Sequence, residues 1–152
     1  MHCADTSFLC SLYRQQSHSE LAIVTLEDIG ALIVISPLLS YEFRQAVRFQ
    51  VFLRSRDARK GYLETEAMSM LAQFEIDLDS GMVIEAGVNY AVVAQEVERL
   101  SERYTMKRGA RSFDLLHIAT ALQWQATVFL SFDALQREIA AAEGLNVLPA
   151  MA

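Results

Sequence analysis

The chain has 152 residues, which fits one compact domain over 1–152 with a sizeable core. Hydrophobic residues make up 53% and charged residues 21% of it, a balance that excludes an intrinsically disordered chain. The net charge of −6 argues against binding of nucleic acid through overall charge, which normally needs a basic surface. That objection weakens if the acidity is concentrated in one pocket, where bound divalent cations would reverse the local sign.

The N-terminal segment predicts neither a secretory signal nor a membrane span. No apolar run approaches about 18 residues, and MHCADTSFLCSLYRQ contains Asp5 and no basic leader. We therefore expect a cytoplasmic protein without a membrane partner. Cys3 and Cys10 form no CxxC pair and accompany no histidine cluster, so we interpret both as reduced, small apolar residues.

The first half of the chain alternates short apolar runs with amphipathic segments. A strand at about 2–5 precedes a helix near 7–16, and Ser19 is placed to cap a second helix. The unbroken apolar run 31–35 is typical of a strand covered on both faces. Ser36-Pro37 then predicts the start of a long amphipathic helix, with serine as the N-cap and proline at the first helical position.

The second half continues this alternation. The predicted elements in chain order are a helix from Thr65 to Ser80-Gly81, a strand over 82–86, a helix over 88–104, the basic loop MKRGAR, a helix capped by Ser112, a strand over 127–131, a helix opened by Asp133 and a strand over 145–148. Strands this apolar do not face water. The alternation therefore predicts a five-stranded, mainly parallel sheet between two helical layers, an α/β/α sandwich.

Four acidic residues, far apart in sequence, are candidates for one site. Asp5 and Asp133 each follow a predicted strand, and side chains in such positions project from the same edge of a parallel sheet. Asp114 lies near the start of a strongly apolar helix. Glu42 lies inside a helix on a stripe whose spacing marks the protein-facing side. That stripe consists of Leu38, Glu42, Ala46, Phe49 and Leu53.

Carboxylates that crowd together either raise one another's pKa or bind cations. Oxygen ligands without histidine or cysteine favour magnesium or manganese. Such ions hold a scissile phosphate and lower the pKa of an attacking water, so the predicted chemistry is hydrolysis of a phosphodiester bond.

Each acid also has a purely structural explanation. Asp5 and Asp133 can cap the helices that follow them, and Asp114 suits the positive end of its helix. Glu42 is the hardest to explain in this way, because a mid-helix carboxylate on an apolar stripe gains neither a cap nor a favourable dipole, and an unpaired buried charge is costly. Glu42 therefore carries most of the argument that is based on residues alone.

Four segments of the chain are similar to segments of a known family. DTSFLCSLY and SPLLSYEFRQAV resemble the opening acid and the glutamate-bearing helix of PIN domains, in particular of the small ribonuclease toxins of bacterial toxin–antitoxin modules. FDLLHIATAL and FLSFDALQREIAAAEGLNVL resemble the third acid and the last strand–acid–helix–strand unit of these proteins. The resemblance covers nearly the whole chain, although the first strand, His2-Cys3-Ala4, is shorter and more polar than is usual in the family.

The resemblance implies a metal site with supporting hydroxyl groups. The residues at the family's metal-site positions are Asp5, Glu42, Asp114 and Asp133. The residues at the family's small hydroxyl positions are Ser7 and Ser131. It further implies sheet order 3-2-1-4-5 and magnesium-dependent endoribonuclease activity on a structured RNA such as tRNA. Homodimerisation and inhibition by a cognate antitoxin peptide are also implied.

Four further side chains have both a functional and a structural interpretation. Lys107, Arg108 and Arg111 could contact RNA phosphates beside the metal, or could form an ordinary solvated loop. His117 follows Asp114 on the same apolar helix, where a hydrogen-bonded core histidine is more usual than a catalytic one.

The segment 41–74 is rich in aromatic and methionine residues, which we interpret as core, with some of them lining a groove for an antitoxin segment. They include Tyr41, Phe43, Phe49, Phe52, Tyr62, Met68 and Met70. Arg44 and Arg48 in the same segment could pair with carboxylates or phosphate, or could be ordinary surface charge.

Two rival classes are disfavoured and one alternative stays open. An aspartyl phosphatase typically has a second acid two positions after the first, where this chain has Ser7. A receiver domain needs a lysine after a late strand, and SFDALQR contains none. A catalytically silent PIN-like module would bind RNA or protein without cutting, but four mutually repelling carboxylates favour the active form.

Overall fold

Five short strands form one sheet in the part of the chain described by the structure, a computed structural model that covers residues 1–14, 17–30 and 32–151. The strands are β1 (His2–Ala4), β2 (Ile33–Ile35), β3 (Val83–Glu85), β4 (Val128–Leu130) and β5 (Asn146–Leu148). Their order is β3-β2-β1-β4-β5, and every pairing is parallel. The predicted order is confirmed, and the sheet is parallel throughout rather than mainly parallel.

Helices connect the strands and cover both faces of the sheet. Within the described ranges they are α1 (Thr6–Tyr13), α2 (Ser19–Ile29), α3 (Pro37–Arg56), α4 (Glu64–Ser80), α5 (Tyr90–Arg108), α6 (Ser112–Gln123) and α7 (Ala134–Ala142). None of these helices combines the length and the apolar content that a membrane crossing requires.

The core lies in two layers, one on each side of the sheet. The register places Cys3 beside Phe129 and Ala4 beside Leu130. Because successive strand residues face opposite sides, Cys3 and Phe129 pack with α5, α6 and α7, whereas Ala4 and Leu130 pack with α1 to α4. The predicted α/β/α sandwich is confirmed.

Local signals placed several helix boundaries correctly. The Ser36 side chain accepts a hydrogen bond from the Leu39 N–H at 3.0 Å, and Pro37 is the first residue of α3. The Asp133 side chain likewise caps α7. Gly81 ends α4 in the left-handed conformation, with φ of 76°, which glycine adopts without the steric cost of a Cβ. These three predicted boundaries are confirmed.

Two predicted serine caps were wrong. Ser19 and Ser112 are the first helical residues of α2 and α6, and the residues before them make no side-chain capping bond. The Ser19 hydroxyl donates to the Arg14 carbonyl instead. The helix after Leu63 begins at Glu64 rather than at Thr65. The predicted end of the first helix, at residues 15–16, and the predicted start of the second strand, at residue 31, lie outside the described residues.

The predicted basic loop was also wrong in extent. Helix α5 runs to Arg108, so Lys107 and Arg108 lie in its last turn and only residues 109–111 link it to α6. Basic side chains stabilise the negative end of a helix, and Gly109 supplies a left-handed cap with φ of 69°. These two effects extend the helix beyond the end that apolar spacing predicted.

The buried side of α3 is one position away from the predicted stripe. Its buried apolar residues are Leu39, Phe43 and Val47, whereas Phe49 is 49% exposed. Helix α3 packs against both α1 and α4, and its apolar residues extend around much of its circumference. Periodicity alone therefore did not identify the face that is buried most deeply.

The aromatic and methionine residues of 41–74 divide between core and surface. Phe43, Tyr62 and Met70 are buried as predicted. The prediction of a core position is wrong for the exposed members of the set, which are Tyr41, Phe49, Phe52 and Met68.

Candidate active site

The candidate site lies at the carboxyl edge of the parallel sheet. Asp5 directly follows β1, Ser36 follows β2, and Ser131 and Asp133 follow β4. Parallel strands end at a common edge, which brings the segment after β1 beside the segment after β4, and Ser36 caps α3 at the same edge.

Asp5 is fully buried beneath this edge. Its carboxylate accepts hydrogen bonds from the Ser7 hydroxyl at 2.7 and 2.9 Å, the Ser131 hydroxyl at 2.6 Å and the Phe8 N–H at 2.9 Å. Burial raises the pKa of Asp5 to about 6, although the bonds from Ser131, Ser7 and Phe8 act in the opposite direction. A cation at this edge would favour the charged form of Asp5.

Ser7 and Ser131 join the Asp5 loop to the Asp133 loop. The N–H groups of Phe132 and Asp133 donate to the Ser7 oxygen at 2.9 and 3.2 Å. The Asp133 N–H also lies 3.0 Å from the Ser131 oxygen. Both serine hydroxyls donate to Asp5. Ser7 also accepts from the loop after β4, and Ser131 accepts from the Asp133 N–H of its own loop, so the two serines hold Asp5 and Asp133 together.

Glu42 is the acid that α3 contributes to the site. It is half-buried, its side chain being 25% exposed, and its Oε2 accepts a hydrogen bond from the Thr6 hydroxyl. The Nε2 atom of His117 lies 2.5 Å from the same oxygen. Burial by itself raises the pKa of Glu42, but the bonds from His117 and Thr6 outweigh it and leave the pKa below its ordinary value. Glu42 is thus held in its charged form.

His117 and Thr6 were not predicted as site residues. His117 is buried and hydrogen-bonded, as expected, but its partner is one of the four acids rather than a core group. Two sequence signals were present. Thr6 adjoins Asp5, and His117 lies three residues after Asp114, on the same side of α6.

Asp114 lies in the first turn of α6, with 8% of its surface exposed. It accepts hydrogen bonds from Arg111 Nε at 3.0 Å and from the side-chain amide of Gln136 at 3.2 Å. The Gln136 backbone N–H also donates to Asp133 Oδ1 at 2.9 Å. One buried glutamine therefore holds two of the four acids.

The sequence analysis did not predict Gln136 as a site residue either, although the sequence contains a signal for its position. It stands three residues after the N-cap Asp133, which is the spacing of a capping box. That pattern identifies a helix start, but it does not show that the amide would reach Asp114 on another helix. The Gln136 Oε1 atom is buried and has no hydrogen-bond partner among the described residues.

Arg111 pairs with one of the four acids and lies within electrostatic range of two others. Its hydrogen bond to Asp114 raises the pKa of the Arg111 guanidinium, and the charges of Asp133 and Glu42 add to this effect. His117 lies close enough to Asp5 to act on it electrostatically, which opposes the effect of burial on the pKa of Asp5. The structure therefore brings all four predicted acids into one region, with Arg111 and His117 among them.

The other candidate cations lie apart from this region. Arg108 pairs with Glu138 of α7, and Lys107 is exposed in the last turn of α5. Arg44 pairs with Glu75 of α4 at 2.8 Å, so its carboxylate partner is outside the acidic group. Of the predicted basic residues with described contacts, Arg111 is the one that contacts a site carboxylate.

The residues present fit a hydrated divalent ion better than a directly ligated one. As placed, no three acidic, histidine or cysteine side chains in the described part of the chain stand together as a metal-holding group. Magnesium retains several waters and is usually bound through one or two carboxylates. The donors here are carboxylate oxygens, and the unpartnered Gln136 Oε1 beside Asp114 suits a hydrogen bond from coordinated water.

A parallel sheet with acidic side chains at its carboxyl edge defines an α/β protein with a polar ligand site. The PIN domain family profile matches residues 3–142, and the chain belongs to that family. Its members are typically nucleases, and PIN nucleases generally use divalent metal ions. No curated protein matches the chain significantly in sequence.

Solved structures share the fold at low identity. VapC20 of Mycobacterium tuberculosis, described as a sarcin–ricin loop cleaving toxin, is 19% identical with a TM-score of 0.66, covering 98% of this chain and 100% of its own. FitAcB of Neisseria gonorrhoeae is 16% identical with a TM-score of 0.64, covering 98% and 97%. PAE2754 of Pyrobaculum aerophilum is 16% identical with a TM-score of 0.55, covering 96% and 87%. This similarity extends over whole chains and concerns the fold.

Replacing His117 by leucine is expected to raise the pKa of Glu42. The substitution removes the larger of the two hydrogen-bond contributions that oppose the effect of burial, and leaves those of the Thr6 bond and the Arg111 charge. The measurement is a carboxyl-carbon NMR titration of the metal-free protein. Glu143 serves as an internal control, because its pKa is lowered against burial by Arg99 and Tyr104, far from the site. An unchanged Glu42 would show that His117 does not stabilise its charged form.

Proposed function

We propose that this protein is a magnesium-dependent endoribonuclease, the toxin of a toxin–antitoxin pair, which cleaves tRNA or another structured RNA in the cytoplasm. The observation that carries the proposal is a hydrogen-bonded network at one edge of the sheet. It links Asp5 to Asp133 through Ser7 and Ser131, and Asp133 to Asp114 through Gln136, while Thr6 next to Asp5 holds Glu42. We also propose that residues 1–152 fold as a single domain around this sheet.

In this proposal the four acids hold one or two magnesium ions, or manganese ions, and Ser7 and Ser131 keep Asp5 and Asp133 in place. The ion would lower the pKa of an attacking water and stabilise the leaving oxygen of the phosphodiester. Thr6 and His117 both bind Oε2 of Glu42 and so orient its other oxygen. The side-chain amide of Gln136 binds Oδ1 of Asp114 and orients its other oxygen in the same way.

The proposed substrate class is supported by the description of VapC20 as a toxin that cleaves the sarcin–ricin loop. Because the net charge is −6, attraction of RNA must depend on a few local cations. Lys107, Arg108 and Arg111 remain the proposed phosphate contacts, with Arg111 nearest to the acids.

The proposed partners are an antitoxin segment and a second copy of the chain. Exposed apolar side chains on α3 and α4 support a partner surface, and they include Tyr41, Phe49, Phe52 and Met68. Phe49 and Phe52 stack with ring centroids 5.8 Å apart, which presents a continuous aromatic face. Co-purification with the product of a neighbouring small gene, followed by light scattering, would check both partners.

A catalytically silent PIN-like module is the second candidate. It is favoured by the absence of a ready metal-holding group of three among the described residues, and by the engagement of Asp114 with Arg111. Such a module would bind RNA or protein and leave the RNA intact.

The test is cleavage of total tRNA and of a ribosomal RNA hairpin, with magnesium and with EDTA. We expect cleavage in magnesium, none in EDTA, and a loss of at least about 100-fold for Glu42→Gln, because a charged metal ligand is removed. Glu75→Gln is the matched control, since Glu75 is exposed on α4 and pairs with Arg44. RNA binding without cleavage by the wild type would support the silent module, and cleavage that is equal in EDTA would contradict the metal mechanism.

A further inference from the structure

We infer that Arg111 is an internal counter-ion of the acidic site and competes with a divalent cation for Asp114. The inference rests on the proposed function, because it requires this site to bind metal. It assigns to Arg111 a role in setting metal affinity, in addition to any contact with RNA.

The two side chains of the Arg111–Asp114 ion pair differ in their exposure to solvent. Arg111 Nε lies 3.0 Å from Asp114 Oδ2, and the side chain of Asp114 is 11% exposed whereas that of Arg111 is 78% exposed. The arginine therefore reaches from solvent onto a sheltered carboxylate. Its guanidinium also lies within electrostatic range of Asp133 and Glu42, so it neutralises part of the charge of three acids.

A divalent cation bound by these acids would meet this guanidinium. An incoming metal must either displace the arginine from Asp114 or bind against its positive charge. Replacing Arg111 by a neutral residue removes that competitor and leaves the repulsion among the carboxylates unrelieved. Both effects make metal binding more favourable. A residue that only supported the shape of the site would have the opposite effect when removed.

The position of Arg111 allows it to leave Asp114 without disturbing the fold. It is the N-cap residue of α6, but its side chain makes no capping bond. Its backbone has φ of −92° and ψ of 158°, an ordinary extended conformation that glutamine and lysine also adopt. The arginine of this ion pair is exposed, and the Gln136 side-chain amide still donates to Asp114 when Arg111 is replaced, so the variants are expected to fold.

The experiment measures manganese binding by calorimetry, with no RNA present, for the wild type, Arg111→Gln and Arg111→Lys. We expect manganese to bind about fivefold more tightly to Arg111→Gln, which corresponds to the loss of one modest ion pair. Arg111→Lys retains the charge without the planar contact and is expected to fall between the two.

The matched control is Arg59→Gln, which changes the net charge equally at a distant place. Arg59 pairs with Asp57 beyond the end of α3. That end lies about 21 Å along the helix axis from Glu42 at 1.5 Å per residue. We expect the Arg59→Gln variant to bind manganese as the wild type does, because a change of net charge at this distance is largely screened.

Each outcome bears on a different part of the inference. Tighter binding in Arg111→Gln alone supports competition. Equal or weaker binding in that variant, with normal binding in the wild type, overturns the counter-ion role and leaves the proposed function standing. Tighter binding in both Arg111→Gln and Arg59→Gln overturns it in favour of an effect of net charge. A wild type that binds no manganese overturns this inference and the proposed metal mechanism together.

Discussion

Asp5→Asn is expected to abolish RNA cleavage and, above pH 6, to make the metal-free protein more stable. Asp5 carries a charge at a fully buried position, where burial raises its pKa to about 6. Asparagine has nearly the same shape and keeps one acceptor oxygen for Ser7 and Phe8, while its amide nitrogen replaces the oxygen that accepts from Ser131. It carries no charge to bind a metal. We expect cleavage to fall by at least about 100-fold, as for loss of a metal ligand.

The gain in stability depends on pH in a defined direction. The folded pKa of about 6 is above the ordinary value of 3.8, so the folded protein binds this proton more tightly than the unfolded chain. The favourable effect is complete below pH 3.8, and it is lost as pH rises through about 6. Above that pH the buried charge costs about 3 kcal/mol, which is an upper limit to what Asp5→Asn recovers.

Urea denaturation in EDTA at several pH values between 4 and 8 measures this effect. The free energy of unfolding of the variant should exceed that of the wild type most at the alkaline end and little at the acidic end. Asp79→Asn is the control, because Asp79 is exposed on α4. This substitution should change neither the pH dependence of the free energy of unfolding nor RNA cleavage. Undiminished cleavage by Asp5→Asn would contradict its proposed role, and a variant destabilised at pH 8 would contradict the account of its burial.

Phe43→Ala is expected to destabilise the protein by about 3–5 kcal/mol. Phe43 is fully buried, with its ring centroid 4.8 Å from that of Phe74 and 5.4 Å from that of Tyr13. Truncation would leave a cavity between α1, α3 and α4, and aromatic pairs add to the loss. Because Phe43 adjoins Glu42, the same change should loosen the site.

Phe49→Ala is the matched control on the same helix. Phe49 is 49% exposed, so its truncation should change the free energy of unfolding by no more than about 0.5 kcal/mol. Thermal or urea denaturation of both variants distinguishes the two positions. A larger loss for Phe49 than for Phe43 would restore the stripe that periodicity predicted and contradict the packing of α3 seen here.

The structure confirms some of the predictions made from the sequence and contradicts others. The fold class and strand order are confirmed, and the four acids that the sequence suggested do lie in one region. The catalytic roles of these acids remain predictions. The predicted buried side of α3 and the predicted core position of several aromatic residues were wrong, because each depended on which neighbouring element covers which surface. The predicted extent of the basic loop was wrong because the basic residues of the last turn and the Gly109 cap lengthen α5.

The sequence by itself determined the features that a few adjacent residues control. Apolar runs of strand length predicted the sheet, Ser36-Pro37 predicted the start of α3, and Asp133 predicted the start of α7. Such signals act within one turn of helix or one strand, since capping and alternation need no distant partner.

Only the tertiary structure decided which groups surround each carboxylate. Thr6 reaches Glu42 across 36 positions, His117 reaches it across 75, and Gln136 reaches Asp114 across 22. Arg111 is close to Asp114 in the sequence. Its electrostatic interaction with Glu42 and Asp133, however, depends on how α3 and α7 pack. Long-range packing brings these partners together, and the charge of the site follows from that packing rather than from any local pattern.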